Sequence, residues 1–146
     1  MVLFAAVAVF LFVNGSNAKP EMKVTTAEEK GIKFMEQDWN GALQRAKAEN
    51  KLVFVDIYAT WCGPCKMLKK NTFVDEKVAA YFNEHFVNVS IDGERTVGPE
   101  LLRKYAVEGY PTLIFTDAEG KPVLYTVGYI DAAKLMQFAQ AAQDKK

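Results

Sequence analysis

The sequence is poor in side chains that bind metals or form cross-links, with two cysteines and one histidine among 146 residues. A structural zinc site takes four nitrogen or sulfur ligands, so a single chain cannot complete one from these three side chains. An excess of charge is also missing, because 18 Lys and Arg side chains balance 18 Asp and Glu. A balanced chain gives no reason to expect nucleic acid or an acidic membrane as a partner. We therefore expect neither a metal site nor a nucleic-acid partner.

The sequence also lacks an apolar run long enough to cross a bilayer, which takes roughly 20 residues. The N-terminal stretch MVLFAAVAVFLFVNGSNA has no charged side chain, and its apolar part ends before the small residues Ser16 and Ala18. This pattern is typical of an export signal that is cleaved before Lys19. We predict a signal peptide over residues 1–18. An uncleaved anchor and a truncated longer segment are the alternatives.

The remainder of the chain divides into a short polar segment and one domain. Residues 19–36 are mostly polar, and we predict a linker or N-terminal extension with a short strand near residues 32–34. Residues 37–146 have the length and apolar content of a domain that buries its core without cross-links. A single domain of ordinary size, without internal repeats, is therefore expected.

The order of apolar stretches predicts the fold class. LVFVDIY and HFVNVSI favour strands, and CGPCKMLKK between them favours a helix, which together make a right-handed βαβ unit. PTLIFT and PVLYTV favour an antiparallel hairpin, and Asp75 and Asp131 are expected to cap helices. The predicted fold is α/β, with a mixed central β-sheet flanked by helices.

Both cysteines lie in the stretch TWCGPCK, three positions apart, in a domain expected outside the cytosol. Disulfides persist in that environment, but a cross-link that closes so small a loop adds little stability. Zinc binding would require two copies of the chain to share their cysteines. We therefore interpret Cys62 and Cys65 as a reactive pair rather than a structural one.

The pair is predicted to lie where a strand ends and a helix begins. Free N–H groups in the first helical turn carry partial positive charge, which stabilises a thiolate on Cys62. Cys65, one turn later, is expected to be more buried and close enough to form a disulfide with Cys62. Cys62 can then attack a substrate disulfide, and Cys65 can resolve the mixed disulfide that results. Pro64 keeps the turn rigid, and Lys66 adds positive charge nearby.

Asp56 is the one charged residue of the predicted buried strand, six positions before Cys62. A buried carboxyl is costly unless it is paired or protonated, and the loss of water raises its pKa. Such a group beneath Cys65 would accept the proton of the resolving thiol. The sequence leaves open the alternative that Asp56 faces solvent or caps a loop.

Aromatic residues and a proline complete the candidate site. Pro111 follows Gly109 and Tyr110 at the start of a predicted strand, where a ladder N–H is dispensable. Cis bonds are on the order of 5% of X-Pro bonds, so frequency alone favours trans. Trp61 lies beside the thiols and is expected on a docking surface, whereas core packing is the default for Tyr58.

The combination of WCGPCK, an acid six residues upstream and a distant YPT resembles the thioredoxin superfamily over residues 39–143. Within that superfamily, KLVFVDIYATWCGPCKMLKKNTFVDEKV is similar to small exported thioredoxin-like proteins. It is also similar to the C-terminal periplasmic domain of the transmembrane thiol:disulfide interchange reductase. The resemblance implies the thioredoxin fold and a redox-active disulfide that works without a bound cofactor.

The resemblance also implies roles for individual residues. Cys62 would be the attacking thiol, Cys65 the resolving thiol and Asp56 the buried acid of the family. Pro111 would be the family's cis-proline, and Tyr110 would offer backbone hydrogen bonds to an extended substrate strand.

The remaining residues of the implied substrate surface are glycines and a proline. Gly128 matches a glycine that faces the same groove, and Gly63 and Pro64 lie between the cysteines, next to any bound substrate. The sequence departs from the family at one position, because many members carry a lysine near the buried acid where this chain has Asn88. The tuning of Asp56 is therefore expected to differ.

We predict a thiol-disulfide oxidoreductase that reduces protein disulfides outside the cytosol, because the Gly-Pro dipeptide resembles that of the reducing members. The sequence has no glycine-rich nucleotide motif, so electrons are expected from a membrane or soluble thiol donor. The alternatives are a dedicated reductase for cytochrome c maturation, a disulfide isomerase or oxidase, and a binding module with an inert pair. No dimerisation segment is evident, so a monomer is expected.

Overall fold

The computed structural model describes residues 30–146, and the predicted signal peptide lies outside this range. A five-stranded mixed sheet forms its centre, with strand order β1-β3-β2-β4-β5. The strands are β1 (Met35–Glu36), β2 (Leu52–Tyr58), β3 (Phe86–Asp92), β4 (Thr112–Thr116) and β5 (Pro122–Val127). β1 and β2 run parallel to β3, whereas β4 is antiparallel to β2 and β5 is antiparallel to β4.

Five α-helices flank the sheet: α1 (Trp39–Glu49), α2 (Gly63–Met67), α3 (Glu76–His85), α4 (Gly98–Lys104) and α5 (Ala132–Gln143). A π-helical segment over Leu68–Thr72, which we call the π-turn, follows α2 directly. Asp75 and Asp131 cap α3 and α5 by accepting backbone N–H groups, as predicted. Within residues 30–146, no helix has both the length and the hydropathy of a membrane span.

The sheet separates two apolar layers because neighbouring side chains of a strand point to opposite faces. Phe54 of β2 packs on the side of α3 and α5, with Phe82 and Phe115. Val55 of β2 faces the opposite layer, which includes Leu101 of α4. Helices thus cover both faces of β2, and the predicted α/β fold class is confirmed.

Two predicted strand boundaries were displaced. The strand expected near residues 32–34 lies at Met35–Glu36 instead, while Ile32 and Phe34 join the layer around Phe54. The strand expected to start at His85 begins at Phe86, because α3 continues through His85. At the first strand the apolar residues contribute to the core while the pairing with β3 occurs further along the chain, whereas at the second strand only His85 falls outside the paired segment.

The polar residues of β3 are buried as well, so its alternating pattern does not mark a solvent-facing side. Asn88 is 4% exposed and donates a hydrogen bond from Nδ2 to the carbonyl of Phe82 at 3.2 Å. Ser90 is fully buried on the same face. This buried polar row lies beside β2 and supplies the site described below.

Truncation of Phe54 should be among the most damaging changes to stability. Its ring has no exposed surface and lies 4.8 to 6.2 Å from the rings of Phe34, Phe73, Phe82 and Phe115. Phe54→Ala should lower the free energy of unfolding by about 3–5 kcal/mol, measured by denaturant titration. Tyr125→Ala, at a residue 68% exposed, should change it by less than about 0.5 kcal/mol. Equal effects of the two substitutions would contradict the assigned core.

Candidate active site

The two cysteines lie at the carboxyl end of β2, where the chain enters α2. Cys62 is the N-cap residue of α2, and Cys65 lies within the helix. They form a disulfide, with their Cα atoms 5.3 Å apart. The Cys62 Sγ accepts the backbone N–H of Cys65 at 3.2 Å. The same N–H would stabilise a Cys62 thiolate once the disulfide is reduced.

The expectation that Cys65 is the more buried cysteine was wrong for this oxidised form. Cys62 is 2% exposed and Cys65 is 3% exposed. Both pack in a small cluster with Ala59, against which Tyr58 and Tyr110 lie. Position in a helix predicts only the burial that the helix itself provides, whereas Tyr110, which packs against this cluster, comes from a distant loop.

Trp61 provides an exposed aromatic surface beside the pair. Its side chain is 66% exposed, in agreement with the predicted docking surface. The indole packs edge-on against Tyr110, with ring centroids 5.8 Å apart. Its Nε1 donates a hydrogen bond to Glu94 Oε1 at 3.1 Å. Glu94 was missed by the sequence analysis, because an acid in the turn after β3 looks like any solvated surface charge.

The loop before β4 brings the remaining predicted residues to the cysteines. The Tyr110–Pro111 peptide bond is cis, as the family resemblance implied and contrary to the general frequency of X-Pro bonds. That frequency carries no information about the surroundings of one proline. Gly128 has a φ of 92°, and its N–H donates to the Pro111 carbonyl at 2.8 Å. Gly128 therefore lies next to Pro111, as predicted.

Two glycines, Gly93 and Gly63, affect the accessibility of the surface around the cysteine pair. A Cβ atom on Gly93 would lie 2.6 Å from the Tyr110 hydroxyl, so only glycine lets the Tyr110 ring rest on this turn. A Cβ atom on Gly63, in contrast, would meet nothing within 4 Å. Pro64 is also exposed. The dipeptide between the cysteines and the Tyr110 loop thus form one accessible face.

Asp56 lies inside the sheet rather than at its surface, so the alternative that it faces solvent or caps a loop was wrong. It is 1% exposed, and its Oδ2 accepts a hydrogen bond from Ser90 Oγ at 3.2 Å. Its Oδ1 has no hydrogen-bond partner. Burial raises the pKa of Asp56 from 3.8 to about 7, while Lys69 and the Ser90 hydrogen bond lower it and Glu36 raises it. A carboxyl with this pKa can both take and release a proton near neutral pH.

Asn88, which we aligned with the lysine of other family members, does not contact Asp56. In the parallel pairing of β2 and β3, Asp56 is opposite Ser90 and Asn88 is opposite Phe54. The hydroxyl of Ser90 therefore occupies the position beside the acid, while the Asn88 amide is engaged with the end of α3. Strand register determines this, and the sequence gives no direct signal for it.

Comparison with known proteins places these features in a family. The family model described as a thioredoxin-like domain matches residues 39–143. The thiol:disulfide interchange protein DsbD of Vibrio vulnificus is 33% identical over 135 residues, which are 90% of this chain and 22% of that protein. DsbD of Yersinia pestis is 35% identical over 98 residues, 65% of this chain and 16% of that protein. The chain thus spans about a fifth of the length of these curated relatives.

A solved structure extends the likeness over most of the described fold. The solution structure of a candidate disulphide-isomerase from Bacteroides thetaiotaomicron has a TM-score of 0.72 and 46% sequence identity. The match covers 82% of this chain and 99% of that one. The likeness therefore extends over most of this chain.

Replacement of Asp56 should remove a pH dependence of stability. The folded protein holds a proton on Asp56 between about pH 4 and pH 7, where the unfolded chain has released it. Stability is thus fully present below the ordinary pKa and is lost as the pH rises through about 7. Above that pH the loss should be on the order of 4 kcal/mol.

The measurement compares oxidised wild type with Asp56→Asn by denaturant titration at pH 4 and pH 8. Asp56→Asn cannot ionise, so its stability relative to wild type should rise between the two values. Asp144→Asn, at an exposed aspartate near the C-terminus, should keep the wild-type pH dependence. If Asp56→Asn and wild type changed in parallel, the assigned pKa of Asp56 would be wrong.

Proposed function

Because this chain belongs to the thioredoxin-like family of thiol-disulfide oxidoreductases, we propose that it reduces protein disulfides outside the cytosol. The observation that carries the proposal is the Cys62–Cys65 disulfide at the start of α2, with an N–H donor on Cys62 Sγ. The buried Asp56, on the strand that leads to this helix, would supply the acid–base group that such an exchange requires.

The reaction begins with the reduced pair. The Cys62 thiolate attacks one sulfur of a client disulfide, which forms a Cys62–client bond and releases the other client sulfur as a thiolate. Cys65 then loses its proton to Asp56 and attacks Cys62 Sγ. The Cys62–Cys65 bond forms, the Cys62–client bond breaks and the second client thiolate leaves. The client gains two electrons and leaves as two thiolates, which take protons from solvent, and the enzyme pair is left oxidised with the former Cys65 proton on Asp56.

A thiol donor must return the pair to its reduced form, since the disulfide itself is the redox group and no bound cofactor is proposed. We infer a membrane or soluble dithiol carrier that reduces Cys62–Cys65 by the same exchange in reverse. The relatives are named as thiol:disulfide interchange proteins and are about five times longer than the matching region.

Client binding would use the exposed face around the pair. Trp61 and the Tyr110 ring offer an apolar surface, and the backbone beside Pro111 lies next to Gly128. An extended client segment can pair with this backbone through main-chain hydrogen bonds, which do not depend on client sequence. This mode of binding suits an enzyme with several protein clients and a single disulfide-exchange chemistry.

The direction of exchange in the cell is part of the proposal. Reduction is favoured by the Gly63-Pro64 dipeptide, which resembles that of reducing family members. Isomerisation is the second candidate, because the Bacteroides structure with 46% identity is described as a candidate disulphide-isomerase. The redox state of the pair in intact cells distinguishes reduction and isomerisation from oxidation of clients. A mainly reduced pair supports donation of electrons to clients, and a mainly oxidised pair supports removal of electrons from them.

Export is proposed from the sequence of residues 1–18. Cleavage before Lys19 would release the domain on the far side of the membrane, in a compartment where protein disulfides form. The N-terminal residue of the mature protein, determined by mass spectrometry, tests this directly. A mature chain that still begins at Met1 would favour the anchor.

The cysteine variants should separate the two chemical steps. Cys62→Ser should reduce a disulfide-containing test protein at least about 100-fold more slowly than wild type, because the attacking thiolate is gone. Cys65→Ser should attack but not resolve, so it should accumulate a mixed disulfide with the test protein. The adduct is measured as an increase in mass that a small thiol reverses. Wild-type rates of reduction by Cys62→Ser would refute the proposed function.

A binding module with an inert pair predicts a different result. Alkylation before and after mild reduction should reveal two new reactive thiols if the pair is a reversible two-electron couple. A pair that stays unreactive after mild reduction, in a folded protein that still binds clients, would favour the binding module.

A further inference from the structure

The π-turn brings a lysine to the side of β2 that carries Asp56. Its wide turn is closed by a hydrogen bond from the Phe73 N–H to the Leu68 carbonyl at 2.8 Å. Lys69 Nζ lies over the ring of Tyr58, 3.9 Å from the ring centroid. Tyr58 and Asp56 are two positions apart on β2, so their side chains share a face. The ammonium group of Lys69 is therefore held near the buried acid while it remains exposed to solvent.

The Tyr58 ring beneath Lys69 and the π-turn that carries Lys69 are both held by hydrogen bonds to other segments. Gln37 Nε2 donates to the Tyr58 hydroxyl at 3.3 Å, and Gln37 Oε1 accepts the Asp92 N–H at 3.1 Å. The π-turn itself is tied to the entry of α5, because Thr72 Oγ1 donates to the Ile130 carbonyl at 2.8 Å. Tyr58 and the π-turn are thus each held by hydrogen bonds to other segments, and Lys69 bridges the two. A lysine on a free surface loop would have no such support.

A small cleft places an opposite charge near Lys69. The cleft has a volume of about 150 Å³ and lies between the N-terminal segment and the π-turn. Glu36 of β1 and Lys69 both line it, together with Phe34 and Phe73. Both charges act on Asp56, with Lys69 lowering its pKa and Glu36 raising it. Lys30 is a second cation that lines the cleft, but only Lys69 and Glu36 act on Asp56, with opposite effects on its pKa.

The strands on either side of Asp56 contribute uncharged side chains. β3 supplies the hydroxyl of Ser90, and β4 supplies the apolar side chain of Leu113, which is paired with Asp56 in register. α2 supplies Cys65, whose proton Asp56 would take under the proposed function. Lys69 and Glu36 are therefore positioned to adjust the proton affinity that burial gives to Asp56.

We propose that Lys69, with Glu36 as its opposing charge, is the positioning residue that determines when Asp56 accepts a proton from Cys65. The inference rests on the proposed function, since it concerns the resolving step. An adjacent cation favours the ionised acid, which is the form that can accept the proton. Without Lys69, Asp56 stays protonated to higher pH, so the resolving step needs a higher pH to reach its full rate. Removal of Glu36 should have the opposite effect.

The test follows the resolving step in a single turnover across pH. Reduced protein is mixed with an equimolar symmetrical aromatic disulfide that releases a coloured thiol. The first equivalent reports attack by Cys62, and the second reports resolution by Cys65. For Lys69→Met the pH midpoint of the second phase should rise by about half a unit. For Glu36→Gln it should fall by a smaller amount, and Lys69→Arg should restore the wild-type midpoint.

Lys70→Met is the matched control, because Lys70 is an exposed neighbour in the same π-turn. It should leave the midpoint unchanged. The carboxyl carbon of Asp56, followed by NMR titration in the same variants, should shift its midpoint in the same directions without any turnover. Identical titrations in Lys69→Met and Lys70→Met would overturn the inference on Lys69. Loss of the second phase in wild type would instead overturn the proposed function, while the carboxyl titration would still decide the role of Lys69.

Discussion

The burial of β2 on both faces and along both edges is the constraint on which the rest of this structure depends. Its backbone is paired with β3 and β4, and its apolar side chains fill both layers of the core. A carboxyl in such a strand has no access to water, and this is what makes Asp56 a weak acid rather than an ordinary surface charge. The same strand delivers the chain to α2 and so positions the cysteines.

The proposed function assigns different tasks to the exposed surface around the disulfide and to the buried acid on β2. On the outer side, Trp61 and Tyr110 form an aromatic face on which a client can rest. On the inner side, Asp56 is reached by the field of Lys69 and Glu36 across a cleft. Electrons would be exchanged at the outer face and protons at the inner one. The separation lets clients vary while the acid–base group remains in a constant setting.

Local patterns were sufficient for much of the fold and for the centre of the site. A short β-branched apolar run predicted β2, and an aspartate before a helical pattern predicted the caps at Asp75 and Asp131. The spacing of Cys62 and Cys65 at a helix start predicted the disulfide. These features depend on neighbours in the chain, so a pattern of a few residues contains the necessary information.

The sequence by itself determined most of the helices and strands and the position of the cysteine pair at a helix start, because backbone preferences and apolar periodicity act over short distances. Only the tertiary structure decided the partners of each group. The register of β2 and β3 put Ser90 beside Asp56, and Tyr110 packed both on Gly93 and against the cluster that contains the cysteines. The π-turn set Lys69 on Tyr58. Each of these contacts joins distant segments, and their geometry follows from the packing of the whole domain rather than from any local pattern.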